Sequence, residues 1–271
     1  MTGTSPDPGA LSGIDTSVAH TARIWNYWLG GKDYYEIDRL VGDQIKRLYP
    51  GILHYGRADR VFLGRAVRHL ATETGIRQFL DIGTGLPTHD NIHEVAQRVH
   101  PSCRVVYVDN DPLVHVHANA LLTSSSEGAT AYLDADLRDP ADILERAAAT
   151  LDLSRPTALT LLGVVIFIEG DDAAYNVVRH LMDALPSGSH LVLSHTITSP
   201  TMPDVDEAVA YWNRHGTPRL TQRTPRQISR FFDGMELLEP GIVSCSRWRP
   251  EATPWGDPEE VAIYGAVARK P

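Results

Sequence analysis

The hydrophobic period changes part-way along the chain. Over residues 20–29, Ile24, Trp25, Trp28 and Leu29 recur at helical spacing, and Gly30-Gly31 ends the run. A second helix is predicted over 36–49 from Ile37, Leu40, Val41, Ile45 and Leu48. A third is predicted over 57–74 from Val61, Phe62, Ala66, Val67, Leu70 and Ala71, with Gly75 as its cap. Beyond residue 75, short runs of Val, Ile, Leu and Phe alternate with amphipathic segments, which predicts βα units around a mainly parallel sheet. Strands are expected over 78–82, 104–108, 130–133 and 190–194, with another inside 157–168. Asn91 and Glu94 stand in capping-box spacing, and Asp111 is placed to cap a helix whose first turn holds Pro112. Residues 224–232 read as helix. Strands over 235–244 and 261–268 follow with no helix between them, so an antiparallel hairpin closes the sheet. The expected fold is α/β: a seven-stranded, mainly parallel Rossmann-like sheet over 76–271, a helical cap over 19–75 and a flexible tail over 1–18.

Composition narrows the chemistry. The 271 residues are 42% hydrophobic, enough for a core without a metal or disulfide staple. Cys103 and Cys245 are far apart and read as reduced thiols. A formal charge of −9 disfavours binding nucleic acid through its phosphates, so a small-molecule partner is expected. The chain shows no secretory leader and no apolar run of bilayer length, which predicts a cytoplasmic monomer or homodimer without a membrane partner.

Three strand ends carry candidate chemistry. Asp81-Ile82-Gly83-Thr84-Gly85 ends the first strand with glycines that let a ligand approach the backbone. Its amides and the helix behind it are expected to hold an anion. The dinucleotide fingerprint lacks its third glycine, with Thr88 in that place, which disfavours NAD and FAD and favours S-adenosylmethionine. Asp109, ending the second strand, is expected to accept from ribose hydroxyls, and Asp111 to cap the next helix. Asp136, after the third strand, is a candidate acceptor for an adenine amino group, with Leu137 as its apolar neighbour.

Other residues are read more plainly. His89 and His93 lack a partner motif for zinc, and no metal site is expected. His115 and His117 are assigned to the surface. Arg219, Arg223, Arg226 and Arg230 read as a solvated basic face. His195 ends the last parallel strand, on the ligand-binding edge of such sheets.

The segment Ala22-Arg23-Ile24-Trp25-Asn26-Tyr27-Trp28-Leu29-Gly30-Gly31-Lys32-Asp33 resembles the hallmark of an actinobacterial S-adenosylmethionine-dependent methyltransferase family, the domain-of-unknown-function 574 group. Residues 79–88, 105–112 and Leu185-Pro186-Ser187-Gly188-Ser189 resemble its other stretches, so the likeness runs from about residue 20 to the end. It implies a class I methyltransferase fold and S-adenosylmethionine as cofactor, with an undefined acceptor. The likeness departs at Ile166, where many members carry histidine. Cofactor contacts are expected from Asn26, Tyr27, Gly31, Asp81, Gly83, Thr84, Gly85, Asp109, Asn110, Asp136, Leu137 and Val164. Trp25 and Trp28 are read as packing, whereas Asn26, Tyr27, Lys32 and Asp33 are expected to line a lid. Tyr27 and His195 are the candidates for a catalytic base. The alternative is a regulatory protein that binds S-adenosylmethionine without transferring its methyl.

Overall fold

The computed structural model describes residues 14–88, 90–121, 124–252 and 256–271; most of the expected tail, and His89, lie outside the described residues. Strand β1 (Ala19–His20) leads into helices α1 (Thr21–Trp28), α2 (Glu36–Leu48) and α3 (Ile52–Glu73). Alternation follows through β2 (Gln78–Ile82), α4 (Ile92–Val99), β3 (Arg104–Asp109), α5 (Pro112–Leu121), β4 (Ala129–Asp134), α6 (Pro140–Ala147), β5 (Ala158–Leu162) and α7 (Asp171–Asp183). The chain continues with β6 (His190–Thr196), α8 (Pro203–His215), β7 (Gly216–Thr217), α9 (Pro225–Ser229), β8 (Glu236–Leu237), β9 (Val243–Ser244) and β10 (Ile263–Arg269).

The main sheet runs β4-β3-β2-β5-β6-β10-β8, with β9 also on β10. Strands β4 to β6 in that order are parallel; β10 runs antiparallel to β6, from Ile263 opposite Thr196 to Arg269 opposite His190. Every residue of β2 and β6 is buried, which is why the central strands read as near-continuous apolar runs. The antiparallel closure is present, but the strand expected over 235–244 is split into β8 and β9. Pro240 has no amide hydrogen to add to a ladder, and Gly241 turns the chain with φ +82°. The outer edge is therefore short and broken, which resists pairing with other chains.

Helix α3 joins the cap to the sheet. It begins at Ile52, earlier than expected, because Ile52 and Tyr55 extend the buried stripe of Phe62, Ala66 and Leu70. Leu40 and Val61, counted with the apolar faces, are instead 51% and 54% exposed. The cap and sheet share one hydrophobic cluster, from Ile24 and Val41 through Phe62 to Leu80 and Val192. Helix α8 and the parallel bridge of β1 with β7, which packs beside α1, were not signalled by the periodicity. Winding runs outward from β2 in both directions, so the strand order reverses between β2 and β5. Ligand crevices in such sheets open at that point, beyond the carboxyl ends of the strands.

Candidate active site

A cavity of about 350 Å³ lies there, walled by the ends of β2, β3 and β5, the turn after β4, and residues of α1 and α3. Asn26, Asp81, Gly83, Thr84, Gly85, Asp109, Asn110, Asp136, Leu137 and Val164 all line it; Tyr27, Gly31 and His195 do not.

The glycine loop works differently from the expectation for it. Gly83 N–H and Thr84 N–H both donate to Val108 O, at 2.8 and 3.2 Å, and Gly85 N–H donates to Asp109 Oδ2 at 2.8 Å. The loop amides thus face the neighbouring strand and are not free to hold an anion. Nor does a helix start at the glycines, because α4 begins only at Ile92, where Glu94 accepts from Asn91 N–H at 2.8 Å. Gly83 has a second requirement: with φ +78°, a Cβ there would collide with the Val164 side chain. Gly85, at φ +65°, has open space where a Cβ would stand. At the strand end, Asp81 is buried and accepts from Thr160 Oγ1, while burial raises its carboxyl above the ordinary range.

Asp109 and Asp136 differ in what they can still accept. Asp109 takes one donor on each oxygen, from Gly85 N–H at 2.8 Å and Asp111 N–H at 3.0 Å. One lone pair on each oxygen stays open, and burial pushes the carboxyl up to about 6. Asp136 takes four donors, from Arg138 N–H, Nε and Nη2 and from Asn110 Nδ2. The guanidinium of Arg138 holds its carboxyl below the ordinary range.

Two charged lining residues on α3 were missed in the sequence. Asp59, on the buried face of α3, is 4% exposed, and burial pushes its carboxyl up to about 6. It accepts from Ser194, whose Oγ in turn accepts from Gly163 N–H at 3.0 Å, and from the Cys245 thiol, whose Sγ lies 3.9 Å from Oδ1. Next to it, Arg60 lines the cavity with a buried Nη2 that has no hydrogen-bond partner. A buried guanidinium nitrogen without an acceptor is costly unless a ligand supplies one. The available signal was an acid at position 59, on the same face as Tyr55 and Phe62 of an otherwise apolar stripe.

The Trp-Asn-Tyr-Trp segment builds the cap. Asn26 Oδ1 accepts from Asp33 N–H at 2.9 Å, and a Cβ on Gly31 would collide with the Asn26 amide. Gly31 thus supports Asn26 from outside the cavity. The Tyr27 hydroxyl donates to Asp43, a bond that pushes it up to about 12, and its ring packs against Tyr34. His195 is fully buried, with Nδ1 2.8 Å from Thr196 O and Nε2 2.8 Å from Arg223 Nη1. Arginine only donates, so Nε2 accepts and Nδ1 carries the proton; burial pulls the ring down to about 3. Arg223, read as part of a solvated face, is itself fully buried and also donates to Asp171 and to the carbonyls of Ile168 and Gly170. The reason is that the Asp171 carboxylate and the carbonyls of Val165, Ile168 and Gly170 converge on one point, where a guanidinium supplies donors to all of them. Ile166 is buried and lines a smaller chamber beside the main cavity.

A profile of the S-adenosyl methyltransferase family matches residues 8–271. The chain belongs to that family. A solved structure of a DUF574 family protein from Streptomyces avermitilis is 47% identical, with a TM-score of 0.90, over 95% of this chain and 99% of that one. A candidate methyltransferase from Thermobifida fusca is 37% identical, with a TM-score of 0.87, over 97% of each chain. No curated protein matches the chain. The methyltransferase has an α/β fold with a mainly parallel sheet, and its cofactor is S-adenosylmethionine. Among the described residues of this methyltransferase, no helix is long and apolar enough to cross a membrane, and no group of three or more His, Cys, Asp or Glu could hold a metal.

Proposed function

We propose that this methyltransferase acts on a small-molecule acceptor and holds S-adenosylmethionine in the cavity between β2, β3, β5 and α3. The observation that carries this reading is the buried, unpartnered Nη2 of Arg60, on a wall that also holds Asp59 and Asp81. An amino-acid end bears one carboxylate and one ammonium. Arg60 takes the carboxylate through a charge-assisted hydrogen bond, and Asp59 takes the ammonium. The open lone pairs of Asp109 suit the two hydroxyls of a ribose. An adenine amino group replaces Asn110, whose 3.2 Å bond is the longest at Asp136, while Leu137 offers an apolar contact. Gly85 leaves the backbone open to the ligand, and Asn26 closes the cap side.

S-adenosylmethionine supplies a methyl group already activated by its sulfonium, so the chain's tasks are to align the acceptor and exclude water. The test is calorimetric titration with S-adenosylhomocysteine and with 5′-methylthioadenosine, which lacks the amino-acid end. The wild-type chain should bind S-adenosylhomocysteine far more tightly, and Arg60→Ala should remove that preference. Equal binding of the two by the wild-type chain would sink the reading.

A further inference from the structure

A second chamber, of about 60 Å³, lies directly against the cofactor cavity, with Thr21, Trp25, Gly163 and Phe167 contributing to both. Its far walls come from α1, α2, α3 and α8, and no charged side chain lines it. Aromatic rings dominate: Trp25, Trp28, Tyr49, Tyr55, Phe167 and Trp212. Two indole N–H groups are already committed outside it, Trp212 to Pro218 O at 2.7 Å and Trp28 to Gly42 O at 3.4 Å. Those rings therefore present apolar surface to the chamber. A polar handle lies inside. The Tyr55 hydroxyl lies 2.6 Å from Thr196 Oγ1, and only one of the two hydroxyl hydrogens can sit between them. The other is left for a further partner.

We infer that this chamber binds the methyl acceptor, and that the acceptor is an uncharged, hydroxyl-bearing molecule whose buried part is about one ring in size. The volume holds roughly four or five water-sized groups, so it takes no more than a single ring. Bringing a carboxylate or an ammonium in would strip its water with no counter-ion on the wall, whereas an apolar ring gains contact with aromatic faces. The Tyr55–Thr196 pair supplies an orienting hydrogen bond for the hydroxyl. Position also favours an acceptor, because Gly163 and Phe167 follow β5, at the strand end beside Asp59. A Cβ on Gly163 would stand 4.0 Å from Asp59 Oδ2 and 3.9 Å from Trp25.

The inference rests on the reading of the larger cavity, so its test measures the two separately. With the full chain, calorimetry first follows S-adenosylhomocysteine alone. Tryptophan fluorescence then follows 4-methylphenol, 4-methylbenzoate and 4-methylbenzylammonium, with and without S-adenosylhomocysteine. The phenol should bind at least about tenfold more tightly than either ion. Ala208→Phe fills the chamber from α8 without touching the cofactor wall; it should weaken the phenol at least about tenfold and leave S-adenosylhomocysteine unchanged. Should that variant misfold, Val205→Ala enlarges the same chamber and should admit 2-naphthol, which the wild-type chain excludes. The assignment fails if an ion binds as tightly as the phenol, or if neither variant alters ring binding. Loss of S-adenosylhomocysteine binding alone would instead overturn the reading of the cofactor cavity.

Discussion

Two buried Arg–Asp arrangements lie in the N-terminal helices, and they differ in what completes them. Beneath the cap, Asp38 is fully buried and accepts from His20 N–H at 2.9 Å and Tyr35 N–H at 2.8 Å. Arg23 Nε lies 2.9 Å from it in an ion pair bent out of the hydrogen-bond line, and its Nη atoms donate to the carbonyls of Asp15 and Val18. On α3, Asp59 and Arg60 are neighbours in sequence, and Arg60 Nη2 makes no hydrogen bond within the protein. The first arrangement is closed by the protein itself and fastens the chain entering α1. The second is open and becomes complete only with a ligand. Residue types are alike, and both carboxylates are buried, but Arg60 is half-buried where Arg23 is buried, and satisfaction separates the structural group from the binding one.

That contrast is broken most severely at Asp38. Asp38→Ala strands a buried Arg23 charge and two backbone donors, so stability should fall by roughly 3–5 kcal/mol. Urea denaturation of the ligand-free protein checks this, and a loss below about 1 kcal/mol would mean that water replaces the pair. Asp59→Asn should act in the opposite direction. Burial raises Asp59 and Asp109 to about 6, so between about pH 4 and 6 the folded chain binds more protons than the unfolded one. The stability these two groups contribute is full below about pH 4 and lost as pH rises through 6. Asp59→Asn removes the cost of keeping this buried carboxyl ionised and should stabilise the ligand-free protein at pH 8 by up to about 3 kcal/mol. In wild type, S-adenosylhomocysteine affinity should fall as pH drops through 6, because both carboxylates must be ionised to receive donors. Calorimetry across that range reads it directly.

The middle effect belongs to Arg60. Replacing it with alanine removes one charge-assisted hydrogen bond and no internal one at Nη2. Cofactor affinity should drop by about 1.5–3 kcal/mol, roughly ten- to a hundredfold, while the urea midpoint of the ligand-free chain stays put. A fall in that midpoint as large as the one at Asp38 would make Arg60 structural and erase the contrast.

These outcomes bear on what could be read from the chain alone. The parallel strands were legible because burial on both faces leaves no polar alternation, as at β2 and β6. Asp81, Asp109 and Asp136 were legible because they end strands, and strand ends point to the crevice. The glycines announced a close approach but not the partners of their amides, which depend on the pairing of β2 with β3 and on Val108 O. Asp59 and Arg60 escaped notice because α3 was read for its apolar stripe, where a charge looks like an interruption. His195 was visible at the edge of the sheet. Its commitment to Arg223 was not, because that contact is made only when the segment after α8 folds back on β6.

The smallest expected effect concerns the cap tyrosine. Tyr27 was expected to contact the cofactor from a lid, yet its hydroxyl is bound to Asp43, off the cavity wall. Asp43 also receives Arg39 Nη1 at 3.0 Å, so it keeps a partner when the tyrosine hydroxyl is removed. Tyr27→Phe therefore deletes one partly exposed hydrogen bond and leaves the ring against Tyr34. The stability loss should be about 1 kcal/mol or less, and cofactor affinity should change by less than about twofold. Asn26, one residue earlier, lines the cavity and supports the Gly31 turn, so Asn26→Ala should weaken cofactor binding where Tyr27→Phe does not. If the two variants weaken the cofactor equally, the cap closes over the ligand with Tyr27 turned inward, and its bond to Asp43 marks only the ligand-free arrangement.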